Sequence, residues 1–169
     1  MGNYLVTGRA GSGKSTLAEE LNRRGRAAFD TDSIDRLSHW EDRKTHTAVT
    51  LTDNRFVDLA NLEWRWDASV LRSFLQDKDG VFICGGADND FDFEDLFAAH
   101  FVLSTSPETQ IKRLSTRTSN DYAQDPAMHA DIIEKQRQHV ANAKLHDAIV
   151  IDAEKPIEFV VNAILSYLP

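Results

Sequence analysis

Short apolar runs alternate with stretches of helical periodicity along most of this chain, which predicts a parallel sheet covered by helices on both faces. The apolar runs place strands at 3–7, 27–29, 81–84, 100–103 and 148–151. Helices are expected at 14–24, 33–40, 56–76, 107–117, 126–144 and 156–167. Pro107, Pro126 and Pro156 each suit the first turn of a helix, where a missing N–H leaves no bond unmade. Ser106 ahead of Pro107-Glu108-Thr109 adds a helix-start signal. Two segments break the pattern. Residues 41–55 are polar and only weakly periodic, within a stretch at 38–66 that reads as either a substrate-binding insertion or a surface loop. Residues 117–126 form a polar connection between two helices, placed as a lid would be.

These elements fit one three-layer α/β/α domain over residues 1–169, with a five-stranded parallel sheet and a lid segment. The chain's net charge of −8 disfavours broad nucleic-acid binding, which needs a basic face. Cys84 is the single cysteine, so no disulfide framework or cysteine-based metal site is expected, and it should pack as a small apolar residue. The six histidines lack metal-ligand spacing and read as surface or helix-end residues. No apolar segment has the length of a signal peptide or a membrane span, so the expected compartment is the reducing cytoplasm.

One motif gives this framework a chemistry. Residues 8–15 read Gly-Arg-Ala-Gly-Ser-Gly-Lys-Ser, a complete Gly-x-x-x-x-Gly-Lys-Ser phosphate-binding loop (P-loop, or Walker A). Apolar Tyr4-Leu5-Val6 precedes it and helical Thr16-Leu17-Ala18-Glu19-Glu20-Leu21 follows, which is the strand–loop–helix setting the motif needs. Backbone N–H groups from Gly11 through Ser12, Gly13, Lys14, Ser15 and Thr16 are expected to surround a phosphate chain, with the helix dipole behind them. Lys14 would reach the β- and γ-phosphates, and the Ser15 hydroxyl would ligate Mg²⁺. The chain is therefore expected to bind a nucleoside triphosphate.

The second signal is Phe29-Asp30-Thr31-Asp32-Ser33, at the end of the second predicted strand. Carboxylates two residues apart on extended chain point the same way, and adjacent strand ends lie beside the loop. Asp30 is then a candidate for holding the metal and Asp32 for taking a proton from an acceptor hydroxyl. The competing reading is a helix cap at Asp32 or Ser33.

A P-loop followed by Phe-x-Asp-x-Asp resembles the shikimate-kinase branch of the nucleoside-monophosphate-kinase-like P-loop proteins. Other segments match in order: Val81-Phe82-Ile83-Cys84-Gly85-Gly86-Ala87, Ile111-Lys112-Arg113-Leu114-Ser115-Thr116-Arg117 and Ile151-Asp152-Ala153-Glu154-Lys155-Pro156. The resemblance implies an ATP- and Mg²⁺-dependent kinase. In it, Gly85 and Gly86 lie beneath the acceptor, Arg113 stacks on adenine, Arg117 is a charge-stabilising lid arginine and Arg137 contacts substrate. Ala87 stands where shikimate kinases carry a third glycine, and Arg65 does not align with their carboxylate-gripping arginine, which argues against shikimate itself.

The acceptor side offers Trp64-Arg65-Trp66, expected on a helix, and Asp88-Asn89 after the glycine turn. A tryptophan could stack on a base while Arg65 pairs with an anion, or the tryptophans could be core. Asp88 and Asn89 suit either a hydroxylated, nucleoside-like acceptor or a backbone turn. The reading is a phosphotransferase acting on a hydroxyl or phosphate of a small polar acceptor, with a nucleoside or nucleotide the first guess. A regulatory nucleotide-binding ATPase and a polynucleotide 5′-kinase are the alternatives.

Overall fold

The computed structural model describes residues 2–118 and 120–169. Five parallel strands, β1 (Asn3–Thr7), β2 (Ala28–Asp30), β6 (Phe82–Gly85), β7 (Phe97–Ser104) and β8 (Ile149–Asp152), form a sheet in the order β2-β6-β1-β7-β8. β1 is central and every residue of it is buried, as expected of a parallel strand covered on both faces. Tyr4 and Val6 face α1 (Lys14–Arg23) and α5 (Ile157–Leu165), packing with Leu17, Leu21, Val161 and Ile164. Cys84 is buried in this layer, where desolvation pushes its thiol pKa up.

Leu5 faces the opposite layer and packs with Ile83, Leu71 and Leu75 of α2 (Ala68–Leu75), Trp66 and Phe93. A third cluster joins Leu114 of α3 (Pro107–Thr116) to Ile132 of α4 (His129–Ala143), with Val57, Leu59 and Met128 between them. The three-layer α/β/α architecture and its five strands follow the sequence expectation. Among the described residues, no helix is long and apolar enough to cross a membrane.

The helix expected at 33–40 does not form, its end being strand from Ser38, and the one expected at 56–76 forms only in part. Residues 38–66 carry a second, antiparallel sheet of β3 (Ser38–Asp42), β4 (Ala48–Val49) and β5 (Leu62–Trp66), in the order β4-β3-β5. Trp64 and Trp66 therefore lie on a strand, and only Ala68–Leu75 of the expected 56–76 helix is helical. The reason lies in the local pattern. Ser38-His39-Trp40-Glu41 pairs against Glu63-Trp64-Arg65-Trp66 so that Trp40 opposes Trp64, while Glu41 opposes Glu63 and His39 opposes Arg65. Period-two alternation gives this sheet an aromatic face and a charged face.

Asp30 also differs from expectation. The strand ends there, and its Oδ1 accepts the Asp32 N–H at 3.0 Å, capping a short 3₁₀ turn at Thr31–Ser33. The cap is thus Asp30 rather than Asp32 or Ser33.

Behind this turn, Gly85 shows why a side chain is excluded at the end of β6. A Cβ there would collide with the Thr31 side chain. Gly85→Ala should cost about 1–3 kcal/mol, lowering the melting temperature by roughly 3–10 °C in calorimetry. Combining it with Thr31→Gly should recover much of the loss; no recovery would place the clash elsewhere.

Candidate active site

The P-loop leaves the C-terminal end of β1, with the end of β6 beside it and that of β2 beyond, the crevice where ligands bind in open α/β sheets. Gly11 and Gly13 have φ of 83° and 95°, in the left-handed region that glycine takes without strain. Gly13 is the N-cap of α1, and no side chain caps that helix end. Its first-turn N–H groups therefore point toward the crevice as an anion cradle. Arg113 closes one side of the loop, donating to the Gly11 carbonyl at 3.3 Å and to the Ala153 carbonyl at 3.0 Å.

Lys14 lies across the loop and donates to the Arg9 carbonyl at 3.0 Å. Burial pulls its pKa down to about 8, against the pull of Asp32 and Asp30 in the other direction. The Ser15 hydroxyl donates to Asp30 Oδ2 at 2.7 Å. This hydroxyl–carboxylate pair is a hard-oxygen donor set, suited to Mg²⁺. Asp32 sits one turn on, where partial burial and the Asp30 charge raise its pKa above the usual carboxylate range.

Arg117 ends α3 and faces the same crevice. Its Nη2 donates to the Tyr122 carbonyl, and its buried Nε has no hydrogen-bond partner among the described residues. Burial is the main influence lowering the guanidinium pKa, with Tyr122 and Asp32 opposing it.

These groups line one cleft of about 950 Å³. Part of its lining is aromatic: Trp40 and Trp64 have ring centroids 5.0 Å apart, and Tyr122 of the 117–126 segment lies 5.9 Å from Trp40. Gly85, Gly86 and Asp88 line the cleft, as does Lys135 of α4, whose Nζ is 2.6 Å from Asp88 Oδ1. Arg9 stands 3.7 Å from the same carboxylate and donates to the Ala87 carbonyl at 3.0 Å.

The structure thus brings together Lys14, Ser15, Asp30, Asp32, Arg113, Arg117, Gly85, Gly86 and Asp88. It does not bring in Arg65, Asn89 or Arg137. Arg65 lies on the charged face of the small sheet, paired with Glu63 and Glu41. Asn89 is buried and holds the edge of β5 through the Trp66 N–H and carbonyl, at 2.9 and 3.0 Å. Arg137 is exposed and paired with Glu134. Trp66 is core and Trp64 is cleft wall, which divides the two readings of that cluster between its two tryptophans. Sequence reasoning missed Arg9, Trp40, Tyr122 and Lys135. Arg9 occupies a variable position of the motif, and the others reach the cleft only through tertiary packing.

Such a fold and loop define a P-loop α/β protein. More particularly, the AAA domain family model matches residues 5–138, and the chain belongs to that family. No curated protein matches the chain. Among solved structures, it is similar to a deoxyadenosine kinase from M. mycoides with bound dATP (14% identity, TM-score 0.60, 98% of each chain covered). It is also similar to shikimate kinase from Aquifex aeolicus (19% identity, TM-score 0.59, covering 98% of this chain and 95% of that one). A gluconokinase from Sinorhizobium meliloti 1021 shares 15% identity at a TM-score of 0.55, with 98% and 90% covered. At these identities the likeness is one of fold.

Proposed function

We propose that the protein is an ATP-dependent phosphotransferase that moves the γ-phosphoryl group to a hydroxyl or phosphate of a small polar acceptor. The observation that carries this reading is the convergence of Lys14, Asp32 and Arg117 on one cleft that is also lined by paired aromatic rings. Phosphoryl transfer asks for positive charge around the equatorial oxygens and a group that orients the nucleophile, and these side chains supply both. The deoxyadenosine kinase, shikimate kinase and gluconokinase that share its fold agree with this reading.

In this reading the loop from Gly11 to Thr16 cradles the phosphates, and Arg113 forms the wall of the adenine site. Ser15 and Asp30 would hold Mg²⁺, which supplies charge neutralisation at the phosphates. Asp32 orients the acceptor hydroxyl and takes its proton, while Arg117 faces the charge that develops in transfer. Trp40, Trp64 and Tyr122 favour an acceptor with a planar ring, and a nucleoside or nucleotide is the class that joins such a ring to a phosphorylatable group. Asp88 and Lys135 offer one acceptor and one donor for its polar edge.

The test is ATP consumption against a panel of nucleosides, nucleotides, sugar acids and polynucleotide 5′ ends. Stimulation by a nucleoside or nucleotide is expected. Slow hydrolysis that no acceptor changes would replace this reading with that of a regulatory ATPase. Arg117→Lys keeps the charge but loses the planar fork, and should lower kcat about 10–100-fold with little change in ATP affinity. Parallel rate and calorimetric titrations would check this.

A further inference from the structure

Beneath the phosphate-binding loop lies a polar network that the reaction, as described so far, does not use. Thr7 is the last residue of β1, directly before Gly8, and its buried hydroxyl lies 2.7 Å from His100 Nε2 and 3.3 Å from His139 Nε2. His139 Nε2 is also 3.0 Å from Asp90 Oδ2, and both side chains are fully buried. Asp90 Oδ2 accepts in turn from the Ala87 N–H at 3.4 Å, at the turn that follows Gly85 and Gly86. The Phe91 ring packs on both imidazoles, with centroids 5.0 Å from His100 and 5.1 Å from His139. The network thus spans the root of the donor loop and the acceptor turn.

Filling this space with apolar side chains would avoid the cost of burying a carboxylate and two imidazoles. The energetic return of a polar network is geometric, because hydrogen bonds fix orientation where packing alone allows sliding. Neighbouring side chains support the same reading. One turn of α4 supplies Lys135 to Asp88 and Gln136 to both the Arg9 N–H (3.2 Å) and the Leu103 carbonyl (2.9 Å), just before His139. One helix therefore holds the loop, the acceptor turn and β7 in a common frame. Burial keeps both imidazoles below their usual pKa, His100 at about 4. A neutral His139 then donates from Nε2 to Asp90, and the Thr7 hydroxyl donates to a bare His100 Nε2; these tautomers follow from the partners.

We propose that Thr7, His100, His139 and Asp90 form a positioning unit, with His139 as its hub, that sets the phosphate-binding loop against the acceptor turn. The unit touches neither the triphosphate nor the acceptor and acts through Thr7 and Ala87. It rests on the phosphotransferase reading above, since its effect is on the distance between donor and acceptor.

The test compares Thr7→Val, His139→Leu and His139→Gln for melting temperature, ATP affinity, and kcat and KM with the acceptor found in the panel. Thr7→Val and His139→Leu should lower kcat at least about tenfold, because small misplacements cost transfer steeply. ATP affinity should stay within about threefold, since the loop's own N–H groups are intact. His139→Gln, which can still donate to Asp90, should recover most of the rate. A folded Thr7→Val with undiminished kcat overturns the proposal, as does a loss in every variant that merely tracks the unfolded fraction. Imidazole ¹⁵N spectra separate this idea from the transfer reading. Adding ATP with Mg²⁺ should shift the His100 and His139 signals of the wild-type protein even if no acceptor is found. Unmoved signals at saturating ATP would overturn the positioning unit on their own.

Discussion

Lys14→Ala will abolish ATP turnover, lowering kcat/KM by at least about 10³-fold. Lys14 is the cation that lies across the loop, part-buried in the cleft. The pKa of about 8 adds a sharper signature, since burial disfavours the ammonium while a triphosphate would restore it. Nucleotide binding should therefore draw a proton from solution above pH 8, and affinity should fall as pH rises past that value. Calorimetric titrations in buffers of different ionisation enthalpy measure this uptake directly. The linkage has a stability counterpart of defined sign. Between about 8 and the ordinary lysine value of 10.5 the unfolded chain binds the proton and the folded chain does not, so this group's contribution to stability rises with pH across that window. Lys14→Ala should remove that rise in urea melts at pH 8 and pH 10. Turnover that survives the substitution would mean that the P-loop is not the donor site.

The second large effect is expected at Asp32. Asp32→Asn keeps the shape of the side chain and removes the base, so transfer should fall by roughly 10²–10⁴-fold. ATP binding should be unchanged or slightly tighter, because a negative charge near the triphosphate has gone. The separation of the two effects is the diagnostic. Asp30 is the wrong residue for this experiment, since its carboxylate holds both the Ser15 hydroxyl and the Asp32 N–H. Its loss would disturb the loop, the turn and the proposed metal site together. Single-turnover transfer alongside equilibrium nucleotide binding distinguishes the outcomes, and an Asp32→Asn protein that transfers at the wild-type rate would end the base assignment.

The acceptor wall explains where the sequence pattern was misread. Residues 62–66 alternate apolar and polar side chains with period two, but 38–42 offer Trp40 as their one apolar residue, and each run is short. Their identity as strands is settled by each other, since Trp40 finds Trp64 only when the chain from residue 41 to residue 63 has been folded back. The histidines were misjudged for a related reason. Spacing along the chain said that His100 and His139 shared no motif, and a buried hydroxyl at Thr7 then brought them together from different elements.

What the sequence by itself determined was the donor half of the cleft. Gly8 to Ser15 are contiguous and sit between a buried strand and a helix, so local conformation and residue chemistry suffice to build the phosphate cradle. The order of apolar runs likewise sufficed for the parallel sheet, because connection rules leave few arrangements of alternating strands and helices. Tertiary structure alone decided the half proposed here for the acceptor. Trp40, Tyr122 and Lys135 come from different parts of the chain and carry no local signal for the cleft, while Trp64 and Asp88, already candidates by sequence, are separated from Trp66 and Asn89 only by folding. It also decided which candidates stay out, since Arg65, Asn89 and Arg137 are satisfied by partners that only folding supplies. The physical division is one of range: in the proposed reading phosphate recognition is written in neighbouring backbone N–H groups, and acceptor recognition in side chains that meet across the fold.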